Sequence, residues 1–167
     1  MGNLLMRVKG MYDWVFERFS YLKSPFLLLI RLYWGVQLAQ SGWGKLHHLP
    51  NVTDFFISLG LPFPALTAVC ISCLELFGGI FLALGLLSRL TALVLTVNML
   101  VAYVTADREA LLSFFSDPDK FSAAAPFTFL VASLVVLVFG AGSITVDTLL
   151  GRWFDKAAFG KAGSSPA

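Results

Sequence analysis

The chain has 167 residues, of which 57% are hydrophobic and 13% charged, and its mean hydropathy is +0.79. Soluble proteins carry roughly 25% charged residues. This composition therefore excludes an ordinary water-soluble fold and predicts an integral membrane protein whose surface faces lipid. The net charge of +2 excludes the strongly basic balance of a nucleic-acid-binding protein, and two cysteines are too few for a disulfide framework.

Residues 1–23 form the first predicted element. Apolar side chains recur there at helical spacing, while charged side chains occupy the other faces. This pattern predicts an amphipathic helix that lies on the cytoplasmic surface of the bilayer. The apolar positions are Leu4, Val8, Met11, Val15, Phe19 and Leu22.

Four membrane-spanning helices are predicted next, because a span needs roughly 20 mostly apolar residues. They cover about residues 25–41, 64–87, 90–104 and 121–139, within one domain of residues 24–149. Pro25 and Pro64 suit the first turn of a helix. The short link at Ser88 and Arg89 predicts an antiparallel hairpin. The predicted fold is thus an all-α, four-helix membrane bundle, followed by a tail of residues 150–167.

Basic residues predict the orientation of these spans. They concentrate in the N-terminal segment, at Arg89 and in the tail, so the positive-inside rule places both termini in the cytoplasm. The loops of residues 42–61 and 105–120 then face the opposite compartment. Each loop contains a short amphipathic segment that we expect to rest on the outer membrane surface.

Arg31, Glu75 and Asn98 are the polar side chains that most need a partner inside the membrane, since a charge at the bilayer centre costs at least roughly 2.5 kcal/mol. At about 1.5 Å per residue, all three reach mid-membrane. Each lies on the small or polar face of its helix. Two interpretations remain open: Arg31 and Glu75 bind or relay protons for a ligand such as a quinone head group, or they form a structural ion pair.

Cys70 and Cys73 form a C-x-x-C sequence on the second span. The spacing permits thiol redox chemistry, but the helical wheel places both roughly 140° to 160° from Glu75. A lipid-buried thiol without a nearby cation stays inert, and the alternative is two small apolar fillers in a helix interface. His47 and His48 diverge by about 100° on a helix, so no metal site is predicted.

The order and spacing of several short motifs resemble the DoxX family of small four-helix membrane proteins, over about residues 24–149. The resemblance implies a bacterial inner-membrane subunit of a quinone-linked or redox-associated complex. It implies functional roles for Arg31, Glu75, Lys45 and Arg89. The polar residues within the spans add Asn98 as a ligand-binding hydrogen-bond donor. The motifs are Arg31, Gly42-Trp43-Gly44-Lys45, Gly60-Leu61-Pro62, Glu75-Leu76-Phe77-Gly78-Gly79, Gly85-Leu86-Leu87-Ser88-Arg89-Leu90, Met99 and the ending Gly140-Ala141-Gly142-Ser143-Ile144-Thr145-Val146-Asp147.

The resemblance leaves the function open in one respect. Family members often carry an acidic residue just before the fourth helix, where this chain has the neutral residues 122–126. More distant four-helix relatives act as chaperones or cargo receptors, so a non-catalytic assembly protein is the alternative to a redox subunit. In either case the expected partners are the lipid bilayer and another membrane protein or a second copy of this chain.

Overall fold

The computed structural model describes residues 2–151, with side chains from Tyr21 onward and that of Trp14. Every regular element in this range is helical. The helices are α1 (Gly2–His47), α2 (Leu49–Ser58), α3 (Pro64–Leu84), α4 (Ser88–Thr105), α5 (Arg108–Leu112), α6 (Pro118–Ala123) and α7 (Pro126–Phe139).

Two of the helices in residues 2–151 are long and apolar enough to cross a membrane. They are α3 and α4, with mean hydropathies of 2.0 and 1.4 over their most apolar windows. Helix α7 is equally apolar but has only 14 residues. Helix α1 is longer, yet Arg31, Gln37 and Gln40 lower its mean hydropathy. The sequence predicted four spans, and length and composition therefore support two of them directly.

Helix α1 continues through Pro25, where the sequence predicts a boundary between a surface helix and the first span. A proline inside a helix removes one backbone hydrogen bond, a loss that helices in membranes tolerate. The helix also continues past residue 41 to His47. The position of residues 1–23 at the bilayer surface stays a prediction, and the tail from residue 152 lies outside the described residues.

The other helix ends differ from prediction by a few residues, for identifiable reasons. Helix α3 stops at Leu84 rather than 87 because Gly85 adopts a left-handed conformation with φ of 69°. The predicted fourth span divides into α6 and α7 because the backbone is extended at Ala124, and Pro126 then starts α7.

Helices α1 and α3 pack closely in antiparallel directions through glycines on both. A side chain on Gly35 would meet the backbone of Gly79 and Ala83, and one on Gly42 would meet the backbone of Leu76. Small residues allow this close approach in lipid. The glycines also fix the register, so that moving up α1 by one turn corresponds to moving down α3 by one turn.

The buried face of α3 is the one that the wheel predicts, with Glu75 in its middle. Its outward face carries exposed apolar side chains such as Leu66 and Phe77, as expected of a surface in contact with lipid. The buried residues of this helix are Ala68, Ser72, Glu75, Gly78, Gly79 and Leu82.

Two ends of the molecule are distinguished below. The α2 end holds α2, α5 and α6. There the ring of Phe121 stacks on that of Tyr103 with centroids 4.9 Å apart. The Tyr103 hydroxyl donates a hydrogen bond to the Phe121 backbone oxygen at 2.8 Å. The Asp147 end holds the α3–α4 turn and residues 140–147. Between the two ends, α3 packs on α1 and α4, while α7 packs on α4 and α1.

Candidate functional site

The centre of the candidate site is a partly buried ion pair between Lys45 of α1 and Glu75 of α3. Glu75 is 5% exposed, and its Oε1 lies 2.5 Å from the Lys45 Nζ. The Ser41 hydroxyl donates a hydrogen bond to Oε2 at 3.1 Å. Ser41 and Lys45 are one helical turn apart on α1, so both reach the same carboxylate. Because each carboxylate oxygen has a partner, the negative charge is compensated.

A cavity of about 340 Å³ adjoins this ion pair at the α2 end of the molecule. Helices α1, α2, α3, α4 and α7 all contribute to its wall. Most of the lining is apolar, and the buried Phe56 of α2 forms part of it. Ligand sites in proteins are typically apolar cavities of roughly 300–1,000 Å³ with a few polar groups. The polar side chains in the wall are Ser41, Lys45, Thr67, Glu75, Asn98, Thr105 and Asp107.

Asn98 is a polar residue of the cavity wall. It lies on α4, is 8% exposed and lines the cavity. Its side-chain amide makes no hydrogen bond to any group in the described part of the chain. The amide keeps some accessible surface, so water or a ligand in the cavity can satisfy its hydrogen bonds. The cavity thus combines an ion pair with a free amide.

Arg31 does not belong to this site, and the predicted pairing of Arg31 with Glu75 is wrong. The α1–α3 register places Ser41 opposite Glu75 and Arg31 opposite Gly85, whose Cα packs against the guanidinium. Glu75 and Gly85 are ten residues apart, or about 15 Å along α3. Arg31 is fully buried, and its Nη2 donates to the Ile144 backbone oxygen at 2.6 Å. Its Nε and Nη1 make no hydrogen bond with any described residue.

Asp147 organises the opposite end of the molecule. Its carboxylate accepts hydrogen bonds from the backbone N–H groups of Leu87 and Ser88, at 2.8 and 3.0 Å, and from the Ser88 hydroxyl at 2.8 Å. These are free donors at the first turn of α4, so Asp147 caps that helix from a distant part of the chain. Partial burial alone would raise the pKa of Asp147, but these hydrogen bonds and the charge of Arg31 together hold its pKa below the usual value.

The remaining predicted site residues lie away from the cavity. Arg89 is exposed at the Asp147 end, beside a shallow cleft formed with residues 140–142. Cys70 is exposed on the outer face of α3 and Cys73 is half-buried, and neither lines the cavity. The structure therefore brings together Glu75, Lys45 and Asn98 of the predicted residues, and separates them from Arg31, Arg89 and both cysteines.

Sequence reasoning missed three residues that the structure shows to matter. Ser41 was detectable, because it precedes Lys45 by four positions and so shares its helix face. Asp147 was noticed only as part of the family ending, and no local pattern links it to Ser88, 59 residues away. Phe56 was part of a predicted surface segment, and nothing in that segment indicates that it lines a cavity.

Comparisons with known proteins agree with this architecture. The DoxX family model matches residues 26–108, which include α2, α3, α4 and the Lys45–Glu75 pair. The chain is 25% identical over 120 residues to the protein named "Putative oxidoreductase CatD" of Bacillus subtilis (strain 168), a match that covers 72% of this chain and 83% of that protein. No solved structure matches the chain significantly. The chain is a member of the DoxX family.

Proposed function

We propose that this protein is the membrane subunit of a redox-associated complex and that its cavity binds the head group of a quinone. The observation that carries the proposal is the unpartnered Asn98 amide, which faces an apolar cavity also lined by Lys45 and Glu75. The oxidoreductase name of the Bacillus subtilis relative supports the redox assignment. In this proposal α1, α3, α4 and α7 all cross a bacterial inner membrane, with both termini in the cytoplasm.

The donors in the cavity fit a quinone head group. Such a ring is planar and apolar on its faces and presents carbonyl oxygens at its edge. The Lys45 ammonium and the Asn98 amide are donors for those oxygens, and Met99 and Phe129 supply apolar surface for the ring. When bound, a quinone supplies two-electron redox chemistry, and its reduction consumes two protons.

The chain's own residues then handle binding and protons. Lys45 orients a carbonyl oxygen and stabilises negative charge there, the role that the sequence analysis gave to Arg31. Glu75, which is hydrogen-bonded to Ser41 and Lys45, holds or releases a proton next to that oxygen. Asn98 fixes the position of the ring. The cysteines take no part in these steps because they lie outside the cavity.

Purification in mild detergent followed by mass spectrometry of bound small molecules tests this function. We expect a quinone in the wild type, and about tenfold less in Asn98→Leu because one ligand hydrogen bond is lost. Val97→Leu is the matched control, since Val97 is next to Asn98 but faces outward. A wild-type protein that contains no quinone and takes up none on addition would refute the proposal.

A second function is favoured by one observation, namely that the ion pair satisfies itself. Both oxygens of Glu75 have partners on α1. In a non-catalytic assembly protein this pair would only hold α1 and α3 in register. Replacing both residues, as in Lys45→Met with Glu75→Gln, would then preserve complex formation with the partner protein. The quinone-binding proposal expects that double variant to lose the ligand.

A further inference from the structure

The cavity is not closed on all sides, and four of its wall residues are exposed. Ala106 and Ala125 lie between helices at the α2 end, and the other two lie on helices. Val101 of α4 lines the cavity and is 47% exposed, and Phe55 of α2 lines it and is 50% exposed. A residue with one side in the cavity and the other on the surface marks the edge of an opening. Within the helical part of the wall, the opening therefore lies between α2 and the C-terminal half of α4.

Helix packing explains why this gap exists. Helix α2 packs mainly on α3, and α5 packs on the end of α4, while α2 and α4 do not pack closely on each other. Val101 lies four residues before the end of α4, about 6 Å inward from Thr105. The polar wall residue Asp107 comes after that end. Val101 thus borders the opening within the apolar part of α4, and the polar rim lies beyond the end of that helix.

From this placement we infer that the cavity opens sideways into the membrane and takes a ligand with a long apolar tail, which leaves through the opening between Phe55 and Val101. The inference rests on the proposed function and names the class of ligand: a lipid-dissolved amphiphile rather than a small molecule from water.

The size of the cavity and the polarity of the cavity and of its opening support an amphiphilic ligand. A volume of about 340 Å³ is near the lower limit for a ligand cavity, so it holds a head group and leaves no room for a long chain. The hydrogen-bonding groups Lys45, Glu75 and Asn98 would bind that head group. Apolar side chains border the way out, and each methylene that stays in contact with them or with lipid avoids water.

Binding of two quinones to the purified full chain in lipid nanodiscs tests the inference. The probes share one benzoquinone ring and differ in one substituent, a decyl chain or a methyl group. Quenching of tryptophan fluorescence reports binding, because Trp34 packs on the cavity residue Phe129 with ring centroids 5.9 Å apart. Each Kd is compared with that of the wild type in identical nanodiscs, so partition of the probe into lipid cancels.

The variant Val101→Phe narrows the opening, and Val101→Leu narrows it with a smaller side chain in case the first variant does not fold. We expect each to weaken binding of the decyl probe at least about tenfold, the effect of losing roughly two buried methylenes. Binding of the methyl probe should change less than about twofold. Val97→Phe is the matched control, since Val97 lies one turn from Val101 on the same face but outside the cavity wall.

The outcomes separate the two proposals. Equal weakening of both probes by Val101→Phe, or no change in either, would overturn the sideways opening while leaving quinone binding in place. Wild-type binding of the methyl probe alone would do the same. If the wild type binds neither probe, the proposed function itself is wrong and the inference falls with it.

Discussion

Removing the Lys45 charge tests the ion pair at the centre of the site. Lys45→Met leaves the Glu75 carboxylate, 6% exposed at its side chain, with only the Ser41 hydroxyl as partner. Breaking a fully buried pair on one side costs about 3–5 kcal/mol. The Lys45 side chain is 34% exposed, so water screens part of the charge and we expect the lower value, about 3 kcal/mol.

The variant Glu75→Gln and the double variant with Lys45→Met complete a thermodynamic cycle. Glu75→Gln keeps a neutral acceptor for Ser41 and removes the buried carboxylate, so its expected cost is about 1 kcal/mol. With both residues replaced, no charge is left without a partner, and the total cost should stay near about 1–2 kcal/mol. The coupling free energy between the two sites is then about 2–3 kcal/mol.

Reversible unfolding in mixed micelles of dodecyl sulfate, followed by helical circular dichroism, measures these free energies. Asp54→Asn is a suitable control because Asp54 is an exposed acid of α2 outside the cavity wall. Free energies that add within about 0.5 kcal/mol would show that Lys45 and Glu75 do not interact in the folded protein. That result would refute the geometry on which the site is built.

Four further predictions concern other parts of the fold. The pKa of Asp147 is held below its usual value, so its carboxylate stabilises the fold above about pH 4. That contribution is lost as the pH falls through the folded pKa. In unfolding titrations, the stability difference between wild type and Asp147→Asn should therefore shrink between about pH 5 and pH 3. Gly42→Leu should lower the free energy of unfolding by about 3 kcal/mol through its clash with the backbone of α3, whereas Gly44→Leu, which meets nothing within 4 Å, should not. Arg31→Met should leave the Kd for quinone within about twofold of wild type, since Arg31 is about 15 Å along the bundle from Glu75; a tenfold loss would place it in the site. A membrane-permeant maleimide should modify the exposed Cys70 without changing quinone binding, as shown by mass spectrometry and a binding titration on the same sample.

The faces of the helices could be predicted from sequence, but their register could not. The wheel identified the buried side of α3 because small and polar residues recur on it at helical spacing. Depth arithmetic then assumed that every span starts at the same level, which brought Arg31 beside Glu75. In the structure α1 extends to His47. The close contacts at Gly35 and Gly42 position α1 along α3 so that Ser41 and Lys45 contact Glu75. The pairing of glycines between α1 and α3 is determined by tertiary packing and is not encoded in any local sequence pattern.

The cavity could not be predicted from the sequence either, because it too depends on how the helices are placed. Asn98 could be placed on an inward face, yet whether it meets a partner depends on how far α2 lies from α4. The position of α2 is set by the loop of residues 59–63, whose left-handed residues Gly60 and Phe63 direct the chain into α3.

The cap that Asp147 places on α4 has a consequence for how the chain is made. The turn between α3 and α4 is complete in sequence by Ser88, but the carboxylate that satisfies its backbone N–H groups is synthesised 59 residues later. Until residue 147 leaves the ribosome, the hairpin of α3 and α4 has an open end with unsatisfied donors. Its closure therefore coincides with the arrival of the segment that follows α7. A chain truncated before residue 144 should enter the membrane yet remain susceptible to proteases at Leu87.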